Sequence, residues 1–101
     1  MPARVLLFTL LFATPLVARA DDLIELLQQQ NCPDCRLADV DLQGAQLRRA
    51  NLGQARLDGV DLRGSDLQLT NLRGASLRSA DLRGSKLYRT DMRQAKLDAV
   101  G

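Results

Sequence analysis

Leucine returns at every fifth position from Leu37 to Leu97, with Met92 as the one substitute, in an unbroken run of thirteen. Two residues before each stands a small side chain, from Cys35 and Val40 through Ser65, Thr70 and Ala75 to Ala95. A helix face repeats at about 3.6 residues and a plain strand at 2, so neither accommodates a period of five. Within one unit the small residue and the leucine are two apart and share a strand face. The alternation then fails once per unit, which predicts a corner in every unit. Gly44, Gly64, Gly74 and Gly84 fall two residues after the leucine, and Gly59 shares that position. A type II turn needs positive φ at its third residue, which glycine supplies without steric cost. Corners lacking glycine, such as Arg49, Leu69, Ser79 and Arg89, are expected to use a different turn.

Upstream the periodicity changes. Leu23, Ile24, Leu26 and Leu27 predict a short amphipathic helix over 21–30, with Asp21 or Asp22 at its positive end. Ten residues are marginal as an isolated helix, so the stripe needs a surface, and the mouth of the first repeat is the nearest. Before it, Arg4 precedes an apolar run from Val5 to Val17, and Ala18-Arg19-Ala20 follows with small residues at the two positions a signal peptidase reads. This pattern predicts a signal peptide over 1–20. A spanning helix needs ~20 apolar residues, more than this run offers.

Loss of Arg4 and Arg19 would take Lys+Arg from 14 to 12 against 12 Asp+Glu, leaving a neutral chain with an acidic start and a basic repeat. Histidine is absent, which removes the commonest general base. The hydroxyls of Ser65, Thr70, Ser85 and Thr90 sit in the small inward column and are expected to bond backbone. Cys32-Pro33-Asp34-Cys35 joins helix to repeat, with Cys32 at a leucine position and Cys35 at a small one. In an exported chain a disulfide is the expectation. A redox pair would want the first cysteine at a helix N-terminus, whereas this one follows a helix. A metal site would want a second such pair or histidines.

Units such as Ala80-Asp81-Leu82-Arg83-Gly84 and Thr70-Asn71-Leu72-Arg73-Gly74 resemble the A(D/N)LXX signature of the pentapeptide-repeat family, over about two thirds of the chain. The resemblance implies an all-β solenoid, a right-handed quadrilateral β-helix with four units per coil, here behind a short capping α-helix. Residues 40–59, 60–79 and 80–99 would be three stacked coils, preceded by an incomplete one starting near Cys35 or a unit earlier. The division is then signal peptide 1–20, capping helix and CxxC junction 21–34, and repeat 35–101. Leu62 and Leu82 should be fully buried in one column.

Stacking turns twenty-residue steps into columns. Asp41, Asp61 and Asp81 fall beside Gln43, Arg63 and Arg83, a solvated charge ladder, and Asn51, Asn71 and Asp91 form the opposite column. The blocks 45–49, 65–69 and 85–89 carry Arg48, Arg49, Lys86 and Arg89 against Asp66, with Leu69 and Tyr88 turned outward. This is the candidate binding face, suited to an unidentified protein or an anionic envelope component.

No cofactor, nucleic acid or membrane span is expected. The leading class is a non-enzymatic exported interaction module, periplasmic or else in a thylakoid lumen or outside the cell. A thiol or disulfide protein using Cys32 and Cys35 is the alternative. DNA mimicry toward topoisomerases, which the resemblance also raises, fits poorly with basic coils and an export signal. The last coil is expected to present an open strand edge and a homodimer to form through it.

Overall fold

A computed structural model describes residues 20–101; the expected signal peptide lies almost wholly outside them. Parallel bridges pair residues twenty apart throughout: Asn31–Asn51–Asn71–Asp91, Arg36–Arg56–Ser76–Lys96, Asp41–Asp61–Asp81 and Gln46–Asp66–Lys86. The backbone is therefore a stack of twenty-residue coils with four bridge positions per coil. Each bridge is a single residue pair. The connecting bonds run both ways along the stack, as where the Leu62 N–H donates to Asp81 O at 2.8 Å and the Asp61 N–H to Val40 O at 3.0 Å. Bridges begin at Asn31, a unit ahead of Cys35.

The corners correct the expectation of two turn types. Every fifth residue from Asp34 to Ala99 has φ between 57 and 73°, glycine or not, including Arg49 (65°), Leu69 (61°), Ser79 (62°) and Arg89 (57°). The same bond closes the turns around them, as Ala50 N–H to Leu47 O and Thr70 N–H to Leu67 O. Positive φ at the third residue makes all of them type II-like. Side chains normally disfavour this conformation by about 1–2 kcal/mol. Here bonds to the coils on either side hold the corner in register, and the tertiary ladder overrides local preference.

The interior is the leucine column set. Leu37, Leu47, Leu52, Leu57, Leu62, Leu67, Leu72 and Leu77 are fully buried, with Ala50, Ala55, Val60 and Ala75 between them. The inward hydroxyls are satisfied by backbone: Ser65 Oγ donates to Leu62 O at 2.7 Å and Thr70 Oγ1 to Leu47 O at 2.6 Å. Leu82 departs from expectation, being only partly buried, and Leu87 and Leu97 are 41% and 43% exposed. These residues belong to the last coil, over which no further described coil lies.

Helix α1, Ala20–Gln29, leads into the stack. Gln30 ends it at φ 53°, with its N–H bonded to Leu26 O at 2.8 Å. Leu26 is fully buried and Leu23 packs partly against the core, but Ile24 and Leu27 are 50% and 56% exposed. The expected four-residue stripe is thus a two-residue one. Positions 23 and 26 share a face, and 24 and 27 lie about 100° around the helix from it. Among the described residues no helix is long and apolar enough to cross a membrane.

Candidate functional site

Two groups of outward charges bear on the candidate face. In the first, the repeat neutralises itself. Arg63 donates from Nε and Nη2 to Asp61 at 2.9 and 2.7 Å, and Arg83 to Asp81 at 2.9 and 2.6 Å, in two-pronged forks. Arg93 and Asp91 repeat the geometry at 2.9 and 2.7 Å. Each carboxylate also caps the turn that follows, accepting the arginine's own backbone N–H. The fork is first among the causes that hold Asp61 below the ordinary carboxylate range and draw Asp81 and Asp91 down to about 2. The same bonds raise the three arginines. The Asn column is likewise occupied along the stack, Asn71 Nδ2 donating to Asn51 Oδ1 at 3.0 Å.

The second group is unpaired. Arg48, Arg49, Lys86 and Arg89 are exposed, and among the described residues none forms an ion pair within 4.0 Å. Bridges Gln46–Asp66–Lys86 bring their three blocks onto one side of consecutive coils. Arg49, Leu69 and Arg89 share the corner column with φ of 65, 61 and 57°. Arg89 lies over the Tyr88 ring at 5.4 Å from the centroid, and Tyr88 is 63% exposed. Leu69 is half-buried between these cations. Asp66, the carboxylate of this side, accepts the Gln68 backbone N–H and side-chain amide, both at 3.1 Å. The backbone bond is the largest of the effects that lower it, with the Arg48 and Lys86 charges adding to it.

The cysteines occupy the first corner. Cys35 N–H bonds Cys32 O at 3.3 Å, with Asp34 at φ 63°, so Cys-Pro-Asp-Cys is itself one turn of the repeat, with proline at the turn position it favours. Both residues are buried, and their sulfurs pair with Cα atoms 5.5 Å apart. Neither sits at a helix N-terminus, the setting that lowers a reactive thiol's pKa.

A stack of five-residue units with inward leucines and a bridged Asp/Asn column defines a repeat protein whose surface is read by column. Pentapeptide repeats match the chain in eight copies, over residues 27–59, 35–74 and 55–94, and the chain belongs to that family. It is similar to HetL, a pentapeptide repeat protein involved in heterocyst differentiation regulation from Nostoc sp. strain PCC 7120. That match has 35% identity and a TM-score of 0.68 over 69% of this chain and 33% of HetL. The chain thus spans about a third of HetL's length. A second pentapeptide repeat protein from Nostoc PCC 7120 is 32% identical over 84% of this chain and 76% of its own, with a TM-score of 0.49. A pentapeptide repeat protein of the Arabidopsis thaliana thylakoid lumen is 26% identical over 62% of this chain and 60% of its own, with a TM-score of 0.25. No curated protein matches the chain.

Proposed function

We propose that this chain is a non-enzymatic, exported interaction module, a right-handed quadrilateral β-helix that binds through the face of Arg48, Arg49, Leu69, Lys86, Tyr88 and Arg89. The observation that carries this reading is that unpaired arginines here stand beside an exposed aromatic, Arg89 lying over the Tyr88 ring, which the unpaired Arg36 and Arg56 lack. Where a carboxylate stands two residues before Arg63, Arg83 or Arg93, the charge is used within the repeat. Arg48, Arg49 and Arg89 have no such partner, and an exposed Tyr88 lies beside them. Arginine and tyrosine are the side chains that most often carry interface energy. The partner is an acidic protein surface or another anionic component of the envelope. The apolar run before Ala20 and the Cys32–Cys35 pair support export to a periplasm, with a thylakoid lumen or the extracellular space as the other non-cytoplasmic settings.

The test compares Arg49→Gln/Arg89→Gln with Arg63→Gln/Arg83→Gln for retention of partners from an envelope extract. Selective loss in the first pair supports the face. Equal loss in both, or none in either, removes it. The thiol reading predicts two titratable free thiols and a reversible redox couple, whereas a structural disulfide shows none before reduction.

A further inference from the structure

On the side of the stack opposite Tyr88 lies a groove of about 360 Å³, whose lining includes Asp34, Arg36, Gln54, Arg56, Ser76 and Lys96. Arg36, Arg56, Ser76 and Lys96 are successive members of one bridged column. Their Cα positions therefore rise by about 4.8 Å per coil. Arg36 and Arg56 are neighbours, and Lys96 stands two coils beyond Arg56. None of the three cations forms an ion pair among the described residues.

Arg36 differs from the other cations among the described residues. Its Nη1 is buried and has no hydrogen-bond acceptor among the described residues. A charged donor removed from water without an acceptor is costly, and such groups are uncommon in folded proteins. Its backbone is fixed, because the Arg36 N–H donates to Asp22 Oδ2 of α1 at 2.7 Å. The Ser76 hydroxyl is already given to Asp58 Oδ1. The donors left facing the groove are therefore the Arg36 and Arg56 guanidinium groups, the Lys96 ammonium and the Gln54 amide. Asp34, Asp58 beside Ser76 and Asp22 beside the Arg36 N–H offset their charge, so selectivity rests on the spacing of the three cations and not on a net surplus.

We propose that this groove is a binding site for a short oligophosphate anion. A single phosphate reaches one or two adjacent rungs of the column. A chain of linked phosphates spans the rungs of Arg36, Arg56 and Lys96 together. Guanidinium groups match phosphate oxygens in pairs, while lysine acts as a point charge. The site is independent of the Tyr88 face and goes beyond the interaction module proposed above.

The experiment is calorimetric titration of the 101-residue protein with tripolyphosphate at low ionic strength, with orthophosphate as the single-group probe. One saturable site for tripolyphosphate is expected, bound at least about ten-fold more tightly than orthophosphate. Arg56→Gln and Lys96→Gln, both at exposed positions, should each weaken it about ten-fold or more. Arg36→Lys keeps the charge but removes the planar guanidinium, and should weaken it similarly. Should Arg36→Lys fail to fold by circular dichroism, the two exposed variants decide. Arg49→Gln/Arg89→Gln should bind as the parent does. Absence of a saturable site, parental binding in Lys96→Gln and Arg56→Gln, or equal loss in Arg49→Gln/Arg89→Gln would each overturn the proposal.

Discussion

Leu62→Ala tests the inward–outward assignment most directly. Leu62 is fully buried, directly between Leu42 and Leu82 in the twenty-residue register. Truncation removes three buried carbons, a transfer loss of about 2.4 kcal/mol at ~0.8 kcal/mol per methylene. Collapse around the gap is restricted, because the Leu62 N–H is bonded to Asp81 O and its coil is bridged at Asp61 both above and below. A cavity contribution therefore adds to the transfer loss, giving about 3–4 kcal/mol, inside the range of about 2–5 known for buried leucines. With a urea dependence of about 1 kcal/mol/M, the midpoint should fall by about 3 M. Leu97→Ala, at a position 43% exposed, creates no enclosed cavity and should cost about 1 kcal/mol. Arg63→Ala loses only an exposed fork and should move the midpoint far less. Equal midpoint shifts for Leu62→Ala and Arg63→Ala in urea denaturation would refute the assignment.

The Asp81 and Asp91 carboxyls lie at about 2 when folded against an ordinary 3.8, chiefly through the Arg83 and Arg93 forks. A lowered folded value means that their contribution is present above about pH 4 and lost as pH falls toward about 2. Urea midpoints measured across that window should drop more for the parent than for Arg83→Gln/Arg93→Gln, and an equal drop would discount the forks. Ser79→Gly relieves a left-handed serine at an exposed corner and should raise stability by up to about 1 kcal/mol, read as a higher melting temperature; a lower one would show that φ is not under strain there. The 82–101 coil leaves Leu87 and Leu97 open, and a following coil or a second copy would cover them. For the 101-residue protein the expected outcome in sedimentation at micromolar concentration is a dimer, weakened by Leu87→Glu, and a monomer throughout would discard that expectation.

The inward columns were legible because a period of five permits one arrangement of small residue, leucine and corner. The inward hydroxyls of Ser65 and Thr70 were legible for the same reason. The left-handed Leu69 and Arg89 corners were not, since local preference assigns positive φ to glycine and only the bonds between coils reverse that. The partial burial of Leu82 is not legible, because it depends on what lies over it and not on its unit. The cap was overextended, because four apolar residues in α1 say nothing about which two meet the coil. The Arg36–Arg56–Lys96 column is hidden in the sequence for a simpler reason. Counting charge by whole faces dilutes it with Asp39, Asp58 and Asp98, whereas bridge partners at 36, 56 and 96 isolate it.

If surface function resides in columns, a unit can be removed to move function without destroying the core. Deleting residues 70–74 keeps a leucine at every fifth position, and rotates everything downstream by a quarter coil. In the new register Ser76 pairs with Asn51 and Lys96 follows Ser76, so both leave the groove. Asp81 arrives above Arg56, replacing a neutral rung by a carboxylate. Arg49 likewise loses Leu69's successor, because Arg89 moves to another corner. Deleting residues 70–73 removes one residue fewer but shifts every later leucine off the inward face. The five-residue deletion should therefore retain cooperative unfolding and a parental circular dichroism spectrum while losing tripolyphosphate binding. The four-residue deletion should lose the downstream coils. Repeat arrays tolerate whole-unit changes because each repeat depends mainly on its neighbours. Equal disruption by the two deletions would show that this stack is held by contacts specific to individual coils, and the column argument would fail with it.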